Sequence, residues 1–116
     1  MERTIYLNDR PYRICDIGEG ECSIVVFYSD RTSDLYERYK RQYSASSRVI
    51  LVDTSESWDV PVESMTLSEL DVLVEDIHLL ADIYWLDQFS IVIERATNNI
   101  YEKFKSGIPE RLKLLG

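Results

Sequence analysis

Residues 88–116, QFSIVIERATNNIYEKFKSGIPERLKLLG, constrain the fold more than any other part of this chain. Phe89-Ser90-Ile91-Val92-Ile93 is an apolar, β-branched run, the signature of a strand buried on both faces. At Glu94 the pattern becomes helical with no loop between. Ile100 and Phe104 then fall on one helical face, Gly107 stands where a C-terminal cap belongs, and Pro109 prevents continuation. A second short strand follows over 111–115. The order is strand, sharp turn, helix, proline stop, strand.

The preceding residues supply partners for that unit. Residues 4–7 and 12–17 form strands of a hairpin, with Asn8-Asp9-Arg10-Pro11 as the turn. Residues 23–28 (SIVVFY) are an unbroken apolar strand, expected at the centre of a sheet. Ser33 or Asp34 caps a helix running to Tyr43. On it Tyr36, Tyr39 and Tyr43 share one face, packing on the sheet with their hydroxyls at the rim or forming a stacking platform for a planar ligand. Residues 48–52 (RVILV) form a parallel strand ending in Asp53, which completes a βαβ crossover. The stretch 54–64 is acidic and irregular. It holds Trp58, either a lid over the sheet or an exposed anchor for a partner.

Thr66 and Glu69 make a capping box for a helix to about Tyr84. Leu67, Leu70, Leu73 or Val74, Ile77, Leu80 or Ala81, and Tyr84 recur with helical period. Glu69, Asp71, Glu75, Asp76 and Asp82 occupy much of the rest. His78, the only histidine in the sequence, is a partly exposed helix residue. No cysteine or second histidine lies near it to build a zinc site. The expectation is no metal and no cofactor.

Length and charge limit what such a chain can do. At 116 residues it is one domain, 1–116, long enough for a real core. Its net charge of −8 opposes binding to nucleic acid phosphates. No apolar run approaches the ~20 residues of a membrane-spanning helix, and no signal peptide is visible. A soluble, cytoplasmic protein is expected. Cys15 and Cys22 are expected as buried free thiols, with a cross-strand disulfide as the alternative.

Taken together these segments resemble the α/β-hydrolase superfamily, in the branch of epoxide hydrolases, esterases and haloalkane dehalogenases. YRICDIGEGECSIVVFY is similar to that family's opening Y-x-D-x-G-x-G-x-x-V-V-L-L-H-G, with Asp16, Gly18 and Gly20 at the D-x-G-x-G element. Arg48-Val49-Ile50 and Asp53 match R-V-I-x-x-D. Residues 89–98 lie on the nucleophile elbow F-S-L-V-G-H-S-x-G-G, and Pro109-Glu110-Arg111-Leu112 on the following P-E-R-V. The resemblance implies an α/β fold: a three-layer sandwich whose mostly parallel sheet carries an N-terminal hairpin, like the first half of a hydrolase domain. It also implies that strand 48–52 lies next to the hairpin.

The chemistry departs from the family at each point that matters. Ile93 and Thr97 stand at elbow glycines, Glu94 at the histidine and Arg95 at the nucleophile. β-Branched residues resist the positive φ that an elbow demands, and a guanidinium cannot attack a carbonyl. Where the family has a His-Gly pair for the oxyanion loop, this chain has Tyr28-Ser29-Asp30, and Asp30 would repel a developing oxyanion. The family's late acid and histidine have no counterpart here. The expected function is therefore that of a pseudoenzyme, a truncated hydrolase-like module binding other proteins as an adaptor or regulatory component. A second copy is the simplest partner, pairing as a homodimer through the C-terminal sheet edge at Leu112, Leu114 and Leu115, with Trp58 as a further interface candidate. Two alternatives remain. The chain could be one subunit of a split hydrolase, or it could bind a small anionic ligand at a remnant cleft formed by Asp30, Asp53, Trp58, Glu94 and Arg95.

Overall fold

The computed structural model describes residues 2–18, 20, 22–28, 37–38, 41–42, 47–93, 97–109 and 112–113. Six strands form one mixed sheet: β1 (Glu2–Leu7), β2 (Arg10–Ile17), β3 (Cys22–Tyr28), β4 (Ser47–Asp53), β5 (Phe89–Ile93) and β6 (Leu112–Lys113). Their order across the sheet is β1-β2-β4-β3-β5-β6. The hairpin occupies one edge, antiparallel to β4, while β3, β4, β5 and β6 run parallel. Strand β4 lies beside the hairpin, as the resemblance implies.

The hairpin turn is tighter than its sequence suggests. Only Asn8 and Asp9 form it, at φ 51 and 66, a left-handed pair that suits the twist of a two-residue hairpin. Arg10 and Pro11 belong to β2 instead. Leu7 pairs with Arg10, so Tyr6 and Pro11 form the next, non-hydrogen-bonded pair, where proline's missing N–H costs the hairpin nothing.

Two helices lie on one face of the sheet. Helix α1 (Leu67–Ile83) opens with the expected capping box: Glu69 N donates to Thr66 Oγ1 at 3.2 Å and Thr66 N to Glu69 Oε1 at 2.9 Å. Helix α2 (Asn98–Gly107) buries Ile100 and Phe104, and the Phe104 ring stacks on Phe27 of β3 at 6.3 Å. The main core joins these helices to Leu7, Tyr12, Ile14, Val25, Phe27, Ile50, Val52 and Ile91. A second cluster of Cys15, Ile24, Val26, Val49 and Leu51 fills the opposite face. That alternation along β3 and β4 is the period of two expected for a sheet buried on both faces.

Gly107 does not act as a left-handed cap. It is the last residue of α2, and Ile108 is the cap, its N–H donating to Phe104 O at 2.9 Å. Glycine is needed for proximity: a Cβ there would stand 2.7 Å from Cγ1 of Val74. The same contact zone holds an ion pair between Lys103 and Asp71 and a 3.1 Å hydrogen bond between His78 Nε2 and Gly107 O. His78 thus ties the end of one helix to the flank of the other.

Neither cysteine is in a disulfide; Cys15 is buried and Cys22 is exposed rather than buried. Helical backbone is present at 37–38 and 41–42, within the expected 34–43 helix. Tyr36, Tyr39 and Tyr43, by which that helix was to meet the sheet, lie outside the described residues. No helix among the described residues is long and apolar enough to cross a membrane.

Candidate functional site

Ligands of parallel α/β sheets sit beyond the carboxyl ends of the strands. Here those ends are Tyr28 of β3, Asp53 of β4 and Ile93 of β5, held in register by the pairs Tyr28↔Asp53 and Phe27↔Ile93. Thr54 N extends the ladder by donating to Tyr28 O at 3.0 Å. Asp53 is buried and accepts a hydrogen bond from Ser55 N at 2.9 Å, a local Asx turn that ends the strand. Thr54 is fully buried, and its Oγ1 is the buried side-chain oxygen without a hydrogen-bond partner among the described residues.

Beyond Thr54 the chain doubles back at once. Ser57 N and Trp58 N both donate to Thr54 O, at 3.2 and 3.0 Å. This turn carries Trp58 over the hairpin on the helix side of the sheet. Its ring is half-buried, Nε1 donates to the Tyr12 hydroxyl at 2.9 Å, and the Arg10 guanidinium lies 5.8 Å from the ring. Asp53 follows Val52 on β4, so its side chain leaves the opposite face. Asp53 and Trp58, both expected at the cleft, are therefore not brought together. Asp30, Glu94 and Arg95 lie outside the described residues, as do Leu114 and Leu115. Leu112 pairs through its backbone with Phe89.

Residues 94–96, where the resemblance puts the elbow turn, lie outside the described residues, which include the flanking elements. Strand β5 ends at Ile93 and α2 begins at Asn98. Tyr101, which the sequence did not single out, clamps the strand end. Its hydroxyl accepts from Ile93 N at 3.2 Å and lies 3.3 Å from Ile93 O. Among the described residues β6 pairs with Phe89 and Ser90, and the Tyr101 hydroxyl meets the backbone of β5 at its far end. The only signal for this was position: Tyr101 follows core residue Ile100 by one and so flanks the buried face.

The most developed polar site lies elsewhere, between α1 and the hairpin. Asp76 is 1% exposed. Its carboxylate accepts from Asn8 Nδ2 at 2.8 Å, from Arg10 Nε at 2.8 Å and NH2 at 2.7 Å, and from the Tyr12 hydroxyl. The bidentate fork and the Tyr12 bond satisfy both oxygens, which is what a carboxylate in an apolar setting requires. The hydrogen bond to Asp76 holds the Arg10 pKa above its ordinary value. Burial, reinforced by the Asp76 carboxylate, pushes the Tyr12 phenol well above the usual tyrosine range. Tyr12 donates to Asp76 and accepts from Trp58, so helix, hairpin and post-β4 loop share one relay. A second pair, Arg48 with Asp16 at 3.0 and 2.7 Å, closes the other end of the same face, and Arg48 NH1 also donates to Tyr84 O. That bond to Asp16 raises the Arg48 pKa.

These features define an α/β sheet of hydrolase type, with the strand and helix that flank an elbow and with strand ends closed by local hydrogen bonds. Solved structures agree at the level of fold. An epoxide hydrolase from Vigna radiata superposes with a TM-score of 0.65 at 18% identity, covering 97% of this chain and 38% of its own. The naproxen esterase (carboxylesterase NP) from Bacillus subtilis gives 0.70 at 14% identity, over 97% and 40%. A bromoperoxidase from Bacillus anthracis gives 0.66 at 19% identity, over 98% and 43%. No protein-family model matches the sequence, and no curated protein matches it at the sequence level. The chain has a partial α/β-hydrolase fold, spanning about 40% of the length of these enzymes.

Proposed function

We propose that this chain is a non-catalytic, hydrolase-like interaction module of the cytoplasm, an adaptor or regulatory component that associates with a second copy through the β6 edge. One observation carries the reading: strand β5 and helix α2 flank the elbow segment, and the nucleophile position within it is Arg95. Ile93 and Thr97 flank it with β-branched side chains where the turn of an active elbow needs glycine. The oxyanion-loop positions carry Tyr28, Ser29 and Asp30 in place of His-Gly. Among the described residues β6 pairs with β5 alone, leaving its outer backbone groups as a template for another strand. An exposed Cys22 outside any disulfide suits a reducing compartment.

The test is solution mass by light scattering on a sizing column over a dilution series. A dimer that Leu112→Asp converts to monomer is expected. Turnover of acyl esters that disappears on Arg95→Ala would overturn the non-catalytic reading whatever the mass. The alternative reading is one subunit of a split hydrolase, completed by a partner chain. Activity appearing only on mixing with a second chain would select it.

A further inference from the structure

Helix α1 stops in a geometry that glycine usually provides. Leu86 N donates to Ala81 O at 2.8 Å and Trp85 N to Asp82 O at 3.4 Å, the paired bonds of a Schellman stop. That motif requires a left-handed residue after the cap, and here it is Trp85, at φ 55. A side chain in this conformation is strained where glycine is not. Burial of the ring does not offset the cost, because Trp85 is 90% exposed.

Trp85 lies close along the chain to other exposed apolar residues. Leu79 and Ile83, one helical turn apart on α1, are 37% and 45% exposed, and Trp85 follows Ile83 by two residues. The rim has one sign of charge. Glu75, one turn before Leu79, Asp82 in the last turn and Asp87 beyond the stop are all exposed. Helix α1 contains no lysine or arginine, so Asp82 adds to the negative end of the helix dipole. Among the described residues, the cations near this end are turned to other tasks: Arg48 holds Asp16 and the Tyr84 carbonyl, and Arg3 meets the Tyr84 hydroxyl and ring.

We propose that Leu79, Ile83 and Trp85 form a docking surface for a basic amphipathic protein segment. Its apolar side takes the tryptophan, and its lysines or arginines face Glu75, Asp82 and Asp87. The choice of occupant follows from charge. A net charge of −8 opposes an anionic lipid surface, and it opposes a second copy meeting this acidic rim face to face. The inference names a partner within the interaction reading above, but it uses the end of α1 and not the β6 edge.

The experiment uses the full chain and a fluorescein-labelled, 18-residue amphipathic Leu/Lys peptide, followed by anisotropy. A Leu/Glu peptide of the same pattern and phosphatidylglycerol vesicles are run beside it. The Leu/Lys peptide is expected to bind, with affinity falling as salt is raised. Trp85→Gly should weaken binding about tenfold or more while raising Tm by roughly 3–8 °C through relief of the left-handed strain. Leu112→Asp should leave peptide binding unchanged, so that failure of the β6 dimer and failure of this surface are read separately. Undiminished binding in Trp85→Gly, equal binding of the Leu/Glu peptide or the vesicles, or a lower Tm in Trp85→Gly would each overturn the proposal.

Discussion

Replacing Asp76 with alanine is the most informative single perturbation of this fold. The carboxylate holds four hydrogen bonds from three hairpin residues. Its removal leaves the fully buried Tyr12 hydroxyl without an acceptor, at about 1–3 kcal/mol. It also breaks an ion pair, which costs about 3–5 kcal/mol when both partners are buried. Arg10 keeps 30% side-chain exposure, so water can replace part of what it loses, and the pair belongs at the lower end. A net loss of roughly 4 kcal/mol is expected, from a total of roughly 6–17 kcal/mol for a domain of this length. Urea unfolding followed by tryptophan emission and far-ultraviolet circular dichroism measures it as a fall in midpoint at unchanged slope. Asp76→Asn should lose about half as much, since it keeps an acceptor but not the charge. The emission of Trp58 should also shift in Asp76→Ala, because its hydrogen-bond partner Tyr12 is no longer anchored. A loss below about 1 kcal/mol would mean that water reaches the carboxylate in solution and the tie between helix and hairpin carries little.

Two further predictions concern the core. Gly107→Ala gains helix propensity of about 1 kcal/mol but overpacks against Val74 at about 1–3 kcal/mol, so the net effect is destabilising; in a Val74→Ala background the same change should become neutral or stabilising, a reversal that paired urea midpoints would detect. For Tyr12, a phenol pKa raised by folding means that the native state holds its proton longer than the unfolded chain. Its contribution is complete below the ordinary phenol value of 10.0 and is lost as pH rises beyond it. Unfolding midpoints from pH 8 to 11.5 should therefore fall more steeply for the wild type than for Tyr12→Phe; parallel curves would contradict the burial of this hydroxyl. The other tyrosines are common to both proteins and cancel in the comparison.

The fold was largely legible in the sequence because its strongest signals are local. The capping box at Thr66 and Glu69, the apolar runs of β3, β4 and β5, and the helical face of Ile100 and Phe104 each sit within one element. What escaped were pairings between distant elements. Asp76 looks like one more acidic residue on an acidic helix, and only the third dimension shows Arg10 and Tyr12 opposite it. The role of Gly107 was misassigned for the same reason: its need for glycine comes from Val74, not from its own backbone. Trp85 was passed over because glycine is the expected residue after a helix stop, and a tryptophan there gives no capping signal. At the strand ends, the resemblance located β5 and α2 correctly, yet it could not show that Asp53 and Trp58 leave opposite faces of the sheet.

The position of β2 has a consequence for how the chain is made. Its inner neighbour is β4, not the β3 that follows it, and its polar anchor Asp76 lies 66 residues beyond Arg10. At ribosomal rates of about 5–20 residues per second, roughly 3–13 seconds separate synthesis of the hairpin from synthesis of that anchor. Until β4 is made the inner edge of β2 is open, and until α1 follows, Tyr12, Ile14 and Leu7 lack the helix that covers them. The N-terminal hairpin is thus made well before its partners and must persist as an uncovered pair of strands until they arrive.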